Sequence, residues 1–259
     1  MRKSIVFAYL ACLLFSFPLF AQTAKPKLTL DEFFNSVGFT AVKVSPDGDA
    51  VVIATEKADW EQQIFRKDLW LYRIAGKGGS LVQLTQSGHD RHPQWSPDGR
   101  WIAFLSERKP ASGKDGDAGD DKEKEIAQLF LVSPYGGEAF AITSGDDDVH
   151  AFAWSADTKA IYFATRQPWT KQQNDDHKKD WKDVVRFRGD ERGDVIFCVR
   201  LEDALARHAA VGSKELPDAE KDSGATPGAE AIARTPLRAD QLAISRDGSR
   251  LALVTSSVS

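Results

Sequence analysis

The sequence has 259 residues, of which 28% are charged, and its 38 acidic residues outnumber its 34 lysines and arginines, for a formal net charge of −4. No basic run or face-wide basic patch emerges that could collect phosphates, so a nucleic-acid partner is not expected. Of the two cysteines, Cys12 lies in the apolar run described next and only Cys198 would stay in a processed chain, which excludes an intramolecular disulfide there.

The first 21 residues have the pattern of a signal peptide. Met1-Arg2-Lys3 supplies a positive start, and an apolar run over 5–20 follows it. The run is shorter than the roughly 20 apolar residues that a transmembrane helix needs. We therefore expect cleavage after Ala21, export to a periplasm or to the outside of the cell, and no stable membrane anchor.

A lead-in segment with one short helix is predicted over 22–43. In Leu28-Thr-Leu-Asp-Glu-Phe-Phe34, Thr29 and Glu32 have the spacing of a capping box, in which each side chain bonds the other residue's backbone N–H. The helix is expected to begin at this point.

Four similar segments define an internal repeat. Each has a serine, turn residues and then an apolar run, and the shared serines are Ser45, Ser96, Ser155 and Ser245. In Ser-Pro-Asp-Gly, proline pre-sets φ, aspartate bonds backbone amides and glycine accepts a positive φ. Each copy therefore predicts a β-hairpin. The third copy, from Ser155 to Thr158, lacks both proline and glycine, so we expect a looser turn there.

A second hairpin follows in the first two repeats, closed by Gly78-Gly79 and by Gly136-Gly137. Two hairpins give about four strands per repeat, and apolar runs such as Trp101–Leu105 need cover on both faces. Radial stacking of such sheets predicts an all-β fold, a partial β-propeller over 44–259 with about three complete blades and the start of another. A β-sandwich is the alternative. Two stretches rich in charge, glycine and proline, near 109–126 and 212–236, are predicted to be mobile insertions.

The repeat resembles that of a known family. Trp95-Ser-Pro-Asp-Gly-Arg-Trp-Ile-Ala-Phe104 is similar to the repeat of TolB-type propellers and of the amino-terminal propellers of prolyl oligopeptidase-type serine peptidases. The order of segments along the chain is a more specific resemblance than the repeat. It is similar to the order in the secreted acylaminoacyl-peptidase and dipeptidyl aminopeptidase branch of that family: the leader, then Phe104–Arg108, the Gln128 strand and Asp180–Asp190. This resemblance covers nearly the whole mature chain.

The resemblance implies a secreted serine peptidase in which the propeller gates and orients peptide substrates for a carboxy-terminal α/β-hydrolase domain. The nucleophile of that domain lies in a G-x-S-x-G turn, and this pentapeptide does not occur in the sequence. We therefore expect no catalytic residue here, no cofactor, and a truncated or fragmentary product that is inactive alone. Two alternatives stay open: a non-enzymatic TolB-like periplasmic binding propeller, and a decayed reading frame without function.

Three groups of residues are candidate sites. His89-Asp90-Arg91-His92 lacks a carboxylate or cysteine partner at ligand spacing, and Asp146–Asp148 with His150 lacks the spaced ligands of a calcium site. We expect no metal site in either, and a solvated turn at the second. Arg186 and Arg188 are the candidate substrate-binding residues, because guanidinium groups bind carboxylates bidentately; they could contact a peptide or an interdomain partner. The alternative is an ordinary strand edge with solvated charges.

Overall fold

The computed structural model describes residues 27–74, 78–108, 126–168, 170, 172, 175, 192–211 and 226–256. The predicted leader, the insertion residues 109–125 and 212–225, and Arg186 and Arg188 lie outside the described residues. Within them, no helix is both long and apolar enough to cross a membrane.

Helix α1 (Leu30–Phe34) belongs to a compact unit that ends at Ser36, and the strands belong to a second unit that begins at Val37. The Thr29 backbone N–H donates to Glu32 Oε2 at 2.9 Å, and the Glu32 N–H donates to Thr29 Oγ1 at 3.2 Å. The predicted capping box is therefore present. The Thr29 backbone N–H and, less strongly, the Thr29 hydroxyl, which donates to Glu32 Oε2 at 2.9 Å, favour the ionised carboxylate and lower the pKa of Glu32.

The second unit consists of antiparallel sheets whose strands are paired in chain order. Sheet 1 contains β1 (Val37–Val44), β2 (Ala50–Asp59), β3 (Ile64–Arg73) and β4 (Ser80–Gln83). Sheet 2 contains β5 (Asp90–Trp95), β6 (Ile102–Ser106), β7 (Gln128–Val132) and β8 (Phe140–Ala141). Sheet 3 contains β9 (Val149–Trp154), β10 (Ala160–Arg166), β11 (Asp194–Arg200) and β12 (Glu230–Thr235). A final hairpin pairs β13 (Arg238–Ile244) with β14 (Leu251–Ser256).

This arrangement is a partial propeller with three four-stranded blades and the start of a fourth, as predicted. Two boundaries differ from the prediction. The blades begin at Val37 and not at residue 44, because the chain that leads into the first Ser-Pro-Asp-Gly is already strand β1, paired with β2. The predicted insertion near 212–236 is wrong for 230–235, since this stretch is β12 and pairs with β11.

The Ser-x-Asp turn is held by its own side chains. In the first copy, the Ser45 hydroxyl donates to Asp47 Oδ1 at 2.5 Å and accepts from the Ala50 N–H at 2.9 Å. The same carboxylate oxygen accepts from the Asp49 N–H at 3.1 Å. Equivalent bonds recur in the turns that begin at Ser96, Ser155 and Ser245.

The third turn is as tightly bonded as the others, so the predicted looser turn is wrong. Ser155 Oγ donates to Asp157 Oδ1 at 2.7 Å, and the Thr158 N–H donates to the Ser155 carbonyl at 3.1 Å. Thr158 has a φ of +64° and occupies the place of glycine. Serine and aspartate therefore determine this turn, and the residue in the fourth position follows at some cost in backbone strain.

Strand β6 lies in the middle of the core and is buried along its whole length. Ile102 and Phe104 pack with residues of sheet 1, whereas Ala103 and Leu105 point the other way and pack with residues of sheet 3. Alternate residues of one strand thus enter two cores, which is the two-sided cover that the apolar run predicts.

Hydrogen bonds also join neighbouring sheets near their first strands. The indole Nε1 of Trp95 donates to the Lys43 carbonyl at 2.9 Å, and the Gln94 amide donates to the Phe152 carbonyl at 3.1 Å. The first bond joins sheet 2 to sheet 1, and the second joins sheet 2 to sheet 3.

Helix α2 (Leu201–Val211) connects β11 to the segment before β12 and was not predicted. It packs through Ala204, which is buried in the core shared by sheets 2 and 3. The His208 ring stacks on Phe140 of β8, with centroids 3.8 Å apart. The helix therefore fixes the outer part of sheet 3 against sheet 2.

Candidate functional site

The first strand of every sheet contains a bulge a few residues before the repeated serine. The pairing of β1 with β2 passes over Thr40, that of β9 with β10 over His150, and that of β13 with β14 over Asp240. In β5, the two residues His92 and Pro93 oppose a single residue of β6. A bulge leaves one residue out of the ladder and redirects its side chain. In each first strand, the bulge therefore removes one polar residue from the ladder of paired residues.

These bulged residues line one groove of about 440 Å³ that runs between the four first strands. We call it the central groove. Its lining combines charged and hydrogen-bonding groups with apolar ones; the lining residues are Thr40, Ala41, Lys43, His92, Pro93, Gln94, Leu105, His150, Ala151, Phe152, Asp240, Gln241 and Leu242. Clefts of 300–1,000 Å³ with a few placed polar groups are typical binding sites.

His92 is the most unusual residue of the central groove. It has a φ of +54°, a conformation that non-glycine residues seldom adopt and that often accompanies functional sites. Partial burial, and after it the positive charges of Arg91 and Lys67, lowers the pKa of His92. The neutral ring is thus favoured, and a neutral imidazole can both donate and accept a hydrogen bond.

His150 takes part in a bond network that joins sheet 3 to the last hairpin. Its Nε2 lies 2.5 Å from Asp194 Oδ2, and the same carboxylate oxygen accepts from the Ala239 N–H at 2.6 Å. Asp194 is fully buried. Asp68, in the middle of β3, has a similar role, since its Oδ1 accepts from the Gly88 N–H at 2.9 Å in the chain that leads to sheet 2. In sheets 1 and 3, a buried aspartate of the third strand therefore secures the entry to the next pair of strands.

The residues of the predicted cluster His89–His92 point in different directions. Asp90 is buried and accepts from Arg108 Nη2 at 2.6 Å, and Arg91 pairs with Glu107. Only His92 reaches the central groove. In the part of the chain that the structure describes, no group of three or more His, Cys, Asp or Glu side chains could hold a metal ion.

The second predicted cluster is not a solvated turn, and that prediction is wrong. Asp147 receives two bonds from Arg192, at 2.9 and 3.2 Å, and its side chain is only 19% exposed. Asp148 Oδ1 accepts from the Ala127 N–H at 2.8 Å. These carboxylates hold the entry to sheet 3, and His150 from the same stretch belongs to the network with Asp194.

Arg186 and Arg188 stay predictions, because they lie outside the described residues. The segment that contains them joins β10 to β11. The residues at its two ends, Arg166 and Arg192, are described, and both line a small charged cavity with Arg238. Sequence reasoning found neither this cavity nor the bulges. A usable signal was that arginines stand at both ends of the long connection.

Comparisons with known proteins point to peptidases. No family model matches the sequence. An uncharacterized peptidase of Bacillus subtilis, YuxL, is 30% identical over 137 residues, which cover 53% of this chain and 19% of that protein. Dipeptidyl-peptidase 5 of Porphyromonas gingivalis is 25% identical over 122 residues, which cover 46% of this chain and 16% of that protein.

Among solved structures, the acylaminoacyl peptidase of Pyrococcus horikoshii matches 66% of this chain and 24% of its own, with a TM-score of 0.46 and 11% identity. The matched stretch is less than a fifth of the length of either curated relative. Together with the three four-stranded blades in chain order, the sequence matches support one conclusion: this chain resembles a propeller part of the prolyl oligopeptidase-type peptidases.

Proposed function

We propose that this chain is the propeller region of an exported serine peptidase and that it admits and orients peptides for a hydrolase domain. The observation that carries the proposal is the match of about half of the chain to two proteins named as peptidases. Peptide hydrolysis would take place on the hydrolase domain, because the present sequence has no G-x-S-x-G turn.

The central groove supports a role in peptide positioning. A peptide has backbone donors and acceptors along its length, and the groove offers the His92 imidazole and the amide of Gln241 beside the apolar Phe152 and Leu242. A volume of about 440 Å³ has room for a few residues of an extended chain but not for a folded protein. A groove of this volume would favour short peptides over folded proteins.

Peptide hydrolysis by the product of the native gene tests this function. We expect hydrolysis of short peptides and none of folded proteins. His92→Ala is expected to raise KM for peptides with little change in kcat, because the ring would contact substrate away from the reacting bond. His89→Ala, at a histidine outside the groove lining, is the matched control. A product that binds peptides but hydrolyses none would contradict the proposal and favour a TolB-like binding propeller.

Export of the protein is also part of the proposal, and the signal-peptide pattern of the first 21 residues supports export. If the leader is cleaved, the mature protein begins at Gln22 and lacks Cys12. Amino-terminal sequencing of the native protein from an envelope or culture fraction would identify this start. A protein that keeps Met1 and stays in the cytoplasmic fraction would contradict export.

A further inference from the structure

A second cavity is lined only by ionisable residues. It shares one lining residue, His150, with the central groove. It has a volume of about 190 Å³ and is lined by Asp147, Asp148, His150, Arg166, Arg192 and Arg238. We call it the charged cavity. These residues come from the entry to sheet 3, from the end of β10, from the start of β11 and from the start of β13. Antiparallel pairing brings these chain ends to one edge of the blades.

The acidic groups of the charged cavity already have partners. Both oxygens of Asp147 accept from Arg192, and Asp148 Oδ1 accepts from the Ala127 N–H. Two carboxylates that contact lining residues are also engaged, since Asp194 contacts His150 and Asp240 pairs with Arg238 at 3.1 Å. The positive charges of Arg192 and Arg238 are therefore balanced within the cluster.

Arg166 differs from the other two arginines. Its side chain lines the charged cavity, and no carboxylate, carbonyl or hydroxyl of the described residues accepts a hydrogen bond from it or forms an ion pair with it. A guanidinium presents five N–H donors in a plane and matches the two oxygens of a carboxylate. Among the described residues, the Arg166 guanidinium therefore has no hydrogen-bond acceptor.

We propose that the charged cavity binds one carboxylate group of a peptide through the guanidinium of Arg166. This inference rests on the proposed function, since it gives the peptide a charged point of attachment beside the central groove. The volume of about 190 Å³ is below that of a typical small-molecule site and suits a single acidic side chain or the end of a chain. Both sources present the same carboxylate.

Binding of three capped peptides to the product of the native gene tests the inference. N-acetyl-trialanine offers only a terminal carboxylate, N-acetyl-Ala-Glu-Ala-amide offers only a side-chain carboxylate, and N-acetyl-Ala-Gln-Ala-amide offers neither. We expect one of the first two to bind at least about tenfold more tightly than the third in isothermal titration, and the one that does so identifies the source. Mass spectrometry of the samples confirms that the peptides stay intact.

Arg166→Gln is expected to weaken binding of the preferred carboxylate peptide at least about tenfold and to leave the neutral peptide unchanged. Arg166→Lys keeps the charge and loses the bidentate geometry, so an intermediate affinity is expected. Arg100→Gln, at an exposed arginine in the second turn, is the matched control and should bind like the unchanged protein. If the glutamine variant does not fold by circular dichroism, the lysine variant decides.

Equal binding of the three peptides, or equal effects at Arg166 and Arg100, would overturn the inference. Absence of carboxylate binding would also overturn it. Hydrolysis of the neutral peptide is followed in separate samples at longer times. Its absence counts against the proposed function, whereas hydrolysis without any carboxylate preference counts against the charged cavity alone.

Discussion

Thr158 stands in the third turn at the position that Gly99 holds in the second, and the two residues have φ angles of +64° and +71°. Threonine is β-branched and strained in this left-handed region, whereas glycine is not. The turns nevertheless have the same hydrogen bonds. The repeated serine and aspartate therefore supply enough stabilisation to tolerate a poorly suited residue.

Thr158→Gly should increase the free energy of unfolding by roughly 0.5–1 kcal/mol, because relief of the left-handed strain exceeds the entropy that glycine adds to the unfolded chain. The reverse change, Gly99→Thr, should decrease it by about 1 kcal/mol or more. Urea denaturation measures both. A less stable Thr158→Gly variant would mean that packing of the buried threonine side chain matters more than its φ.

The pKa values of the turn aspartates Asp47, Asp157 and Asp247 lie below the usual range. In the last turn, the side-chain bond from Ser245, followed by the two bonds from Ser249, lowers the pKa of Asp247 to about 2. Since the folded-state pKa is the lower one, this contribution to stability is complete above an ordinary aspartate pKa of about 4 and is lost as the pH falls towards 2.

Carboxyl titration by NMR checks this behaviour. Ser245→Ala removes the hydroxyl whose hydrogen bond lowers the pKa of Asp247 most, so this pKa should rise towards its ordinary value. Ser45→Ala should raise the pKa of Asp47 in the same way and leave Asp247 as it was, which makes it the matched control. An Asp247 that titrates near pH 4 in the unchanged protein would contradict the turn geometry.

The buried Asp194 should contribute strongly to the attachment of the last hairpin. Asp194→Asn removes the charge that faces His150 and weakens the bond from Ala239, for which we expect a loss of about 3 kcal/mol in the free energy of unfolding. Asp240→Asn breaks only the partly exposed pair with Arg238, which should cost less than about 1 kcal/mol. Equal losses in the two variants, measured by urea denaturation, would refute the role of Asp194.

The blades could be predicted from the sequence because their signals are local. Ser45, Ser96, Ser155 and Ser245 mark turns whose bonds form within six residues, and the apolar runs beside them alternate between two cores. The prediction of a looser third turn is wrong because the bonds of serine and aspartate, and not proline and glycine, determine the turn. Helix α2 was missed because its residues follow directly on a strand without a capping signal.

The central groove and the charged cavity could not be predicted, because they depend on distant segments. His150 and Asp240 reach the groove only through bulges, and a bulge is defined by the pairing partner. Arg166 and Arg192 meet the entry to sheet 3 only after β10 and β11 have paired. The sequence did indicate arginines in the connection between these strands, at Arg186 and Arg188, and their role stays a prediction.

The central proposal is that this propeller belongs to a serine peptidase. It is tested most directly by treating the native gene product with a fluorophosphonate, a reagent that labels activated serines. The intact mass of the product is then measured. The account predicts a product longer than 259 residues that gains one label on a serine within G-x-S-x-G and loses peptide hydrolysis as it is labelled. A native product that takes up no label and hydrolyses no peptide would contradict it.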